Sequence, residues 1–467
     1  MDNTTWTLVA ALAAVGLLLL MVIRWKFQEF LALLVTTIVF GLAVGTSPTE
    51  LVELVVEEMG GSLGQLALVI SLGAVFGTIL QRAGAAERIA TTLVGKFSDK
   101  NIAWGLGVAG FLVSISVYID VAIVILVPML YGIAQRTGKS LLYYGIPMCA
   151  GLSCAYTFMP PAPGPLAAAG IMDAELGLVI LFGVLCGIPA VTVAGPLFGR
   201  YIAKRIFVPV PTQLHAEATG IGGTAGGGTS SDAAGVESPR GASLPSFRSV
   251  VGALLLPLAL IVLGTVGKQA LQEGTAPANT LMFIGHPVIA LLLTCLYTMY
   301  FFGVRRGATG EELRELASSA LGPAGQIILI TGAGGAFGGV LVASGLGEVL
   351  AEAMEDASVP LVVFGFLTAS VIRICQGSGM IAMITGATFT APLAQALGAG
   401  PTETALTTIA IACGGAAFSH VNDSGFWMAN RYFGMSVADT LRSWTVMKTT
   451  VGVTGFAAVL ALSAFTS

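Results

Sequence analysis

Charge is the commodity this sequence is shortest of. Asp, Glu, Lys and Arg make up 10% of its 467 residues, where a soluble domain carries roughly 25%. So few charges cannot cover the surface of a water-soluble protein of this length. That excludes a soluble globular enzyme, a disordered chain and a coiled coil. Histidine is equally sparse, three in all, and none is spaced as a metal site requires. The six cysteines (Cys149, Cys154, Cys186, Cys295, Cys375, Cys413) lie in apolar stretches without a C-x-x-C pair, so no metal or redox cofactor is expected. No basic excess exists either: 21 − 25 gives −4, which argues against a nucleic-acid partner. Met1-Asp2-Asn3 lacks a basic n-region, and the first apolar run ends at Arg24 and Lys26. It reads as a first span, not a cleavable leader.

What the sequence does have is apolar length and glycine. Hydrophobic residues make up 55%, the mean hydropathy is +0.89, and 61 glycines exceed the ~7% of ordinary proteins almost twofold. Small residues let helices in lipid approach closely and break where needed. A crossing helix takes about 20 apolar residues. Runs at 6–23, 29–47, 61–82, 174–203, 248–267, 280–302, 323–344 and 443–466 qualify. Segments 140–171 and 402–434 are long enough but carry helix breakers near the middle, and read as broken spans. Segments 102–136 and 359–395 are too long for one crossing and have small or polar centres, as re-entrant hairpins would. The expected fold is an all-α integral membrane protein of about ten transmembrane helices plus two hairpins.

Positive charge orients it. With the N-terminus outside, every Lys and Arg of the 21 except Lys268 and Arg373 falls on the cytoplasmic side, Lys448 included. Glu50, Glu53, Glu57, Glu58, Glu348, Glu352, Glu355 and Asp356 fall outside. A multi-pass protein of the cell membrane with both termini outside is therefore expected. Between Thr212 and Ser246 the chain turns Gly- and Ser-rich without apolar periodicity, the mark of a flexible cytoplasmic linker. No strand precedes its glycines and no Lys-Ser or Lys-Thr follows them, so a phosphate-binding loop does not fit.

The linker (206–247) separates two halves, 1–205 and 248–467. Gly73, Phe76, Gly77, Leu80, Gly84 and Glu87 recur 261 positions later as Gly334, Phe337, Gly338, Leu341, Gly345 and Glu348. Each half runs span, amphipathic stretch, hairpin, broken span, intact span. In the topology above, 61–82 and 323–344 cross in opposite directions, so the repeats are inverted. Inverted repeats with paired broken helices point to a secondary transporter with a midplane site.

Irregular backbone at membrane depth has to line a cavity or be buried in protein. Four such places are expected to meet at the substrate. The first hairpin turns at Ser116, Tyr118 and Asp120, and the first break runs through Ser153, Tyr156, Thr157, Pro160, Pro161, Pro163 and Gly164. The second hairpin turns at Gln376, Gly377, Ser378 and Gly379, and the second break holds Ser419, His420, Asn422 and Asp423. Four prolines between 160 and 165 end a helix and leave a half-helix N-terminus near Leu166 that favours an anion. No Lys or Arg stands at these turns to bind substrate, so a small organic carboxylate held by N–H, hydroxyl and amide groups is the expected ligand. Charged groups in the membrane are functional by default: Asp120 and a His420–Asp423 pair are candidates for proton coupling. Asp120 and Asp423 capping half-helices is the structural alternative. Arg373 either closes the hairpin or attracts anions from outside.

At these residues the chain resembles the gluconate permease (GntP) family. The resemblance rests on Phe76-Gly77 and Phe337-Gly338 with their following glycines, on Arg136-Thr-Gly-Lys-Ser140, on Pro160-Pro-Ala-Pro-Gly-Pro-Leu-Ala-Ala-Ala-Gly170, and on Ser419-His-Val-Asn-Asp-Ser-Gly-Phe-Trp427. It implies proton-coupled uptake of gluconate or a related hydroxycarboxylate. Sodium coupling, or a D-serine-type amino-acid permease, is the alternative. It further implies a homodimer in the lipid bilayer, with a transport domain moving elevator-fashion against a scaffold. This chain has Ala162 where family members often carry histidine. An intramembrane protease fits poorly: neither Asp120 nor Asp423 follows Gly-x-Gly, and Ser378 lacks a Gly-x-Ser-Gly frame.

Overall fold

The computed structural model describes residues 3–98, 101–115, 117–211, 244–271, 275–357 and 359–466. Within them all regular structure is helical. In chain order the helices are α1 (Asn3–Leu19), α2 (Glu29–Ala43), α3 (Pro48–Arg82), α4 (Ala85–Lys96), α5 (Ile102–Ser114), α6 (Ile119–Thr137), α7 (Leu142–Phe158), α8 (Pro163–Ile171), α9 (Leu176–Thr192) and α10 (Phe198–Ala203). After the linker come α11 (Phe247–Ala270), α12 (Ala276–Gly285), α13 (Pro287–Thr298), α14 (Gly310–Ala343), α15 (Leu346–Ala357), α16 (Leu361–Gln376), α17 (Gly379–Ala396), α18 (Pro401–Ala416), α19 (Ser424–Phe433), α20 (Val437–Thr440) and α21 (Val446–Thr466). Single π turns carry α9 into α10 and α20 into α21.

The order of elements from α3 to α10 recurs from α14 to α21. Each series starts with a helix of 34 or 35 residues, its first turn fixed by a side-chain cap. Ser47 caps α3 ahead of Pro48, and Thr309 with Glu312 forms a capping box on α14. A 12-residue amphipathic helix follows in both. Then come a two-helix hairpin, a helix pair interrupted by a few residues, and a closing helix. α3 and α14 pack side by side, with Phe337 of α14 set edge-on against Phe40 of α2 and Phe389 of α17.

Among the described residues, five helical stretches are long and apolar enough to cross a bilayer: Leu176–Ala203, Phe247–Lys268, Pro287–Arg306, Gly310–Ala343 and Val437–Phe465. α3 bends by 42° between Gly61 and Leu66. Trp6–Val22 and Glu29–Ala43 are apolar but shorter. At 1.5 Å per residue, the 15 residues of α2 reach only about 22 Å. The expected span at 280–302 is two helices, because Pro287 starts α13 afresh after His286. Large apolar side chains such as Leu12, Leu68, Ile188, Leu263 and Leu367 point outward, as lipid-facing surface requires. Most of 212–246, at 212–243, lies outside the described residues; Leu244 and Pro245 beyond it are held by the Arg88 guanidinium, at 3.1 and 2.5 Å.

Candidate functional site

The two interruptions fall where expected, and for different reasons. In the first, α7 ends at Phe158 and Pro163 opens α8; the ring of proline cannot continue the α7 hydrogen-bond ladder. The second, between Ala416 and Ser424, contains no proline. It is sustained by side chains that take up the freed backbone groups. The Phe418 N–H donates to Thr449 Oγ1 at 3.3 Å, Asn422 Nδ2 donates to the Ile374 carbonyl at 2.9 Å, and Trp427 Nε1 donates to the Val421 carbonyl at 2.8 Å. Asp423 then caps α19 by accepting the Gly425 N–H at 3.1 Å.

The second hairpin turns on Gly377 and Ser378. Gly377 has φ +92° and lies directly against the Asn422 backbone, so both its conformation and its neighbour demand glycine. Ser378 caps α17 by accepting the Ile381 N–H at 3.4 Å. Hairpin tip and second break thereby form one unit, tied by Asn422.

Beside this unit opens a cavity of about 410 Å³. Its walls are Gln376, Gly377, Ser378 and Gly379 from the tip, Asn422 and Asp423 from the second break, and Tyr156 and Thr157 from the end of α7. Ile119, Met380, Met383 and Trp444 give it apolar patches, and Glu29 sits at its edge. Two cations also line it, Arg373 and Lys448. Arg373, on the last turn of α16, is 2% exposed and pairs with Asp423. Its Nε and Nη1, and Gln376 Oε1, are buried without a partner among the described residues. Lys448, on the first turn of α21, is 7% exposed and donates to Ser153 Oγ at 2.6 Å. Ser419 donates to Asp423 and accepts from Trp444 Nε1 at 2.8 Å.

The expectation of a site without Lys or Arg is therefore corrected. Positive-inside counting assigns Lys448 to the cytoplasmic face when the last span starts at 443; the helical stretch begins at Val437, and the six additional residues carry Lys448 inside the protein. Arg373 was visible as an intramembrane charge, but only the fold shows that it closes on Asp423. The His420–Asp423 side-chain pair does not form. The Asp423 carboxylate turns to Arg373, Ser419 and the Gly425 N–H, while His420 Nδ1 accepts the Asn422 N–H at 3.4 Å.

The first hairpin touches the cavity through Ile119, but its tip tyrosine faces another space. Tyr118 lines a narrow crevice of about 30 Å³ with Gly73 and Gly77 of α3 and with Pro161 and Pro163. Tyr156 borders both spaces. Pro160 faces an apolar gap among Val69, Leu258 and Leu291. Gly164 packs on Met383. Ser116 and the side chain of Asp120 lie outside the described residues.

What this arrangement can do is hold an anion away from water. Among the described residues, guanidinium donors without acceptors, an ammonium bonded to one hydroxyl, and polar hairpin and break residues surround a space sized for a small organic acid. The sequence pattern of the GntP family permeases matches residues 6–465. The chain belongs to the GntP permease family. It is 34% identical over 463 residues to a gluconate permease of Pseudomonas aeruginosa, covering 99% of both chains. A low-affinity gluconate transporter of Escherichia coli is 35% identical over 463 residues, again with 99% of both covered. Among solved structures, the Neisseria gonorrhoeae MtrF efflux pump superposes with a TM-score of 0.66 at 13% identity, covering 92% of this chain and 93% of that one. That likeness concerns the fold alone. GntP permeases are transporters, and this chain is a multi-pass membrane permease and not an enzyme.

Proposed function

We propose that this permease is a secondary active transporter taking up gluconate or a closely related small hydroxycarboxylate, driven by protons. The observation that carries the reading is the buried Arg373, with two donor nitrogens lacking acceptors, on the wall of a 410 Å³ cavity. A carboxylate satisfies a planar guanidinium better than any neutral ligand does. Tyr156, Thr157, Gln376, Ser378 and Asn422 then serve the hydroxyl groups of the acid. The names of the relatives, gluconate permease and gluconate transporter, favour that substrate class.

The recurrence of α3–α10 as α14–α21 supports two inverted repeats, with both termini outside. Hairpin, break and cavity move together as a transport domain, elevator-fashion, past a scaffold formed by the remaining helices of a homodimer. Proton coupling is favoured over sodium because the charges around the cavity are two side-chain cations, the ion-paired Asp423 and a half-exposed Glu29 at its edge, a poor cage for a second cation. Asp423, held by Arg373, acts in positioning that guanidinium; Asp120 stays a coupling candidate. Uptake of a panel of organic acids into proteoliposomes, with proton and sodium gradients imposed separately, tests the reading. Gluconate accumulation on a proton gradient supports it, and accumulation only on sodium refutes the coupling ion.

A further inference from the structure

Lys448 is a buried ammonium that has no carboxylate of its own among the described residues. Its Nζ donates to the Ser153 hydroxyl at 2.6 Å. The acid within electrostatic reach, Asp423, has its carboxylate engaged by Arg373, Ser419 and the Gly425 N–H. Summed over the described buried groups around the cavity, Arg373 and Lys448 against Asp423 leave one uncancelled positive charge. Glu29, half-exposed at the N-terminus of α2, stays solvated and does not cancel it. An uncompensated charge in the interior of a membrane protein is expensive. Arg373 cannot relieve it, because guanidinium keeps its proton. Two routes remain: an anion enters, or Lys448 gives up its proton.

We infer that Lys448 is the proton carrier of this transporter, protonated when the substrate anion is bound and neutral when the site is empty. The inference rests on the proton-coupled reading above and supplies it with a residue and a stoichiometry. A proton from the compartment of uptake adds to the Nζ lone pair, and the carboxylate enters against Arg373 and the new ammonium. After release of the anion on the other side, the ammonium loses the same proton to that compartment. Loaded and empty sites then both carry zero net charge, so either can travel through the bilayer interior. The two half-loaded states carry net charge and are held back, which is what makes transport a symport. The other described groups facing Lys448 do not compete for this part. Arg373 is fixed, Asp423 is ion-paired, and the thiols of Cys149 and Cys154 on α7 are uncharged at ordinary pH. Cys413 on α18 meets α21 two turns further on, at Gly455.

The test compares wild type with Lys448→Arg in proteoliposomes, using gluconate as probe. Arginine keeps the positive charge and cannot cycle its proton. Gluconate binding by wild type should fall tenfold per pH unit above the midpoint, and binding by Lys448→Arg should be flat with pH. Lys448→Arg, its fold checked by melting curves and size-exclusion chromatography, should lose accumulation on a proton gradient. Accumulation by wild type should be insensitive to an imposed membrane potential. Lys448→Arg accumulating on a proton gradient as wild type does overturns the inference while leaving the proton-coupled reading intact. A wild type that ignores the proton gradient overturns that reading first. Should arginine not be tolerated, Ser153→Ala removes the hydroxyl that accepts from the ammonium and should move the wild-type binding midpoint to lower pH; an unmoved midpoint again counts against Lys448.

Discussion

Arg373 and Asp423 stand 50 residues apart in the sequence and form a buried ion pair that joins the second hairpin to the second broken helix. The guanidinium ends α16 and the carboxylate caps α19, so one contact fixes the relative placement of both half-helix ends that border the cavity.

Removing one partner of a buried pair costs about 3–5 kcal/mol, because the other charge is left uncompensated. Arg373→Met should therefore lower the thermal stability of the detergent-purified protein markedly and abolish gluconate binding. Adding Asp423→Asn should restore most of the stability without restoring binding. Melting curves of the two single variants and the double variant, paired with binding calorimetry, check both halves of the statement.

Asn422 and Ser378 act at the same junction. Asn422→Ala frees the Ile374 carbonyl, and Ser378→Ala uncaps α17, so each should weaken gluconate binding by about 1–3 kcal/mol. Equilibrium binding titrations with each variant measure it. Unchanged affinity in both would place the substrate elsewhere.

The separation of the two spaces makes a contrasting prediction. Tyr118 lines the narrow crevice and not the cavity, so Tyr118→Phe should leave gluconate affinity within about twofold of wild type. Thr157→Val, which puts a methyl in place of a hydroxyl on the cavity wall, should lose about 1 kcal/mol or more. Side-by-side titrations distinguish the spaces. Equal losses in both would merge them into one site.

Much of this was legible in the sequence, for physical reasons. A low charge content and long apolar runs leave no alternative to helices in a bilayer, and prolines 160–165 announce the first break by removing donors. Gly377 and Ser378 mark a hairpin tip because few other residues turn so tightly. The second break was readable only from polar residues, Ser419 to Ser424, in an apolar context. Lys448 was not legible as a site residue. Near the end of a span, a lysine looks the same whether it reaches the aqueous phase or is enclosed by α7, and only the start of the helix at Val437 decides. The His420–Asp423 pairing was misread because proximity in sequence was allowed to outweigh Arg373, whose approach depends on how α16 packs against α18.

The proposed orientation in the membrane, both termini outside, rests on charge distribution and the recurring helix series. Single cysteines at Glu53 on α3 and Glu352 on α15, both exposed, should react with an impermeant maleimide from outside intact cells. A cysteine in the 212–246 linker should react only after the cells are opened. Labelling of Glu53 and Glu352 positions from opposite sides would contradict the inverted arrangement.

The most direct test of the account is the proton movement that accompanies the substrate. Purified protein is reconstituted alone into proteoliposomes, suspended in lightly buffered sodium-free medium, and gluconate is added while external pH is followed. The account predicts alkalinisation of the medium with about one proton leaving it for each gluconate taken up, abolished by a protonophore. Gluconate uptake with no change in external pH would contradict it.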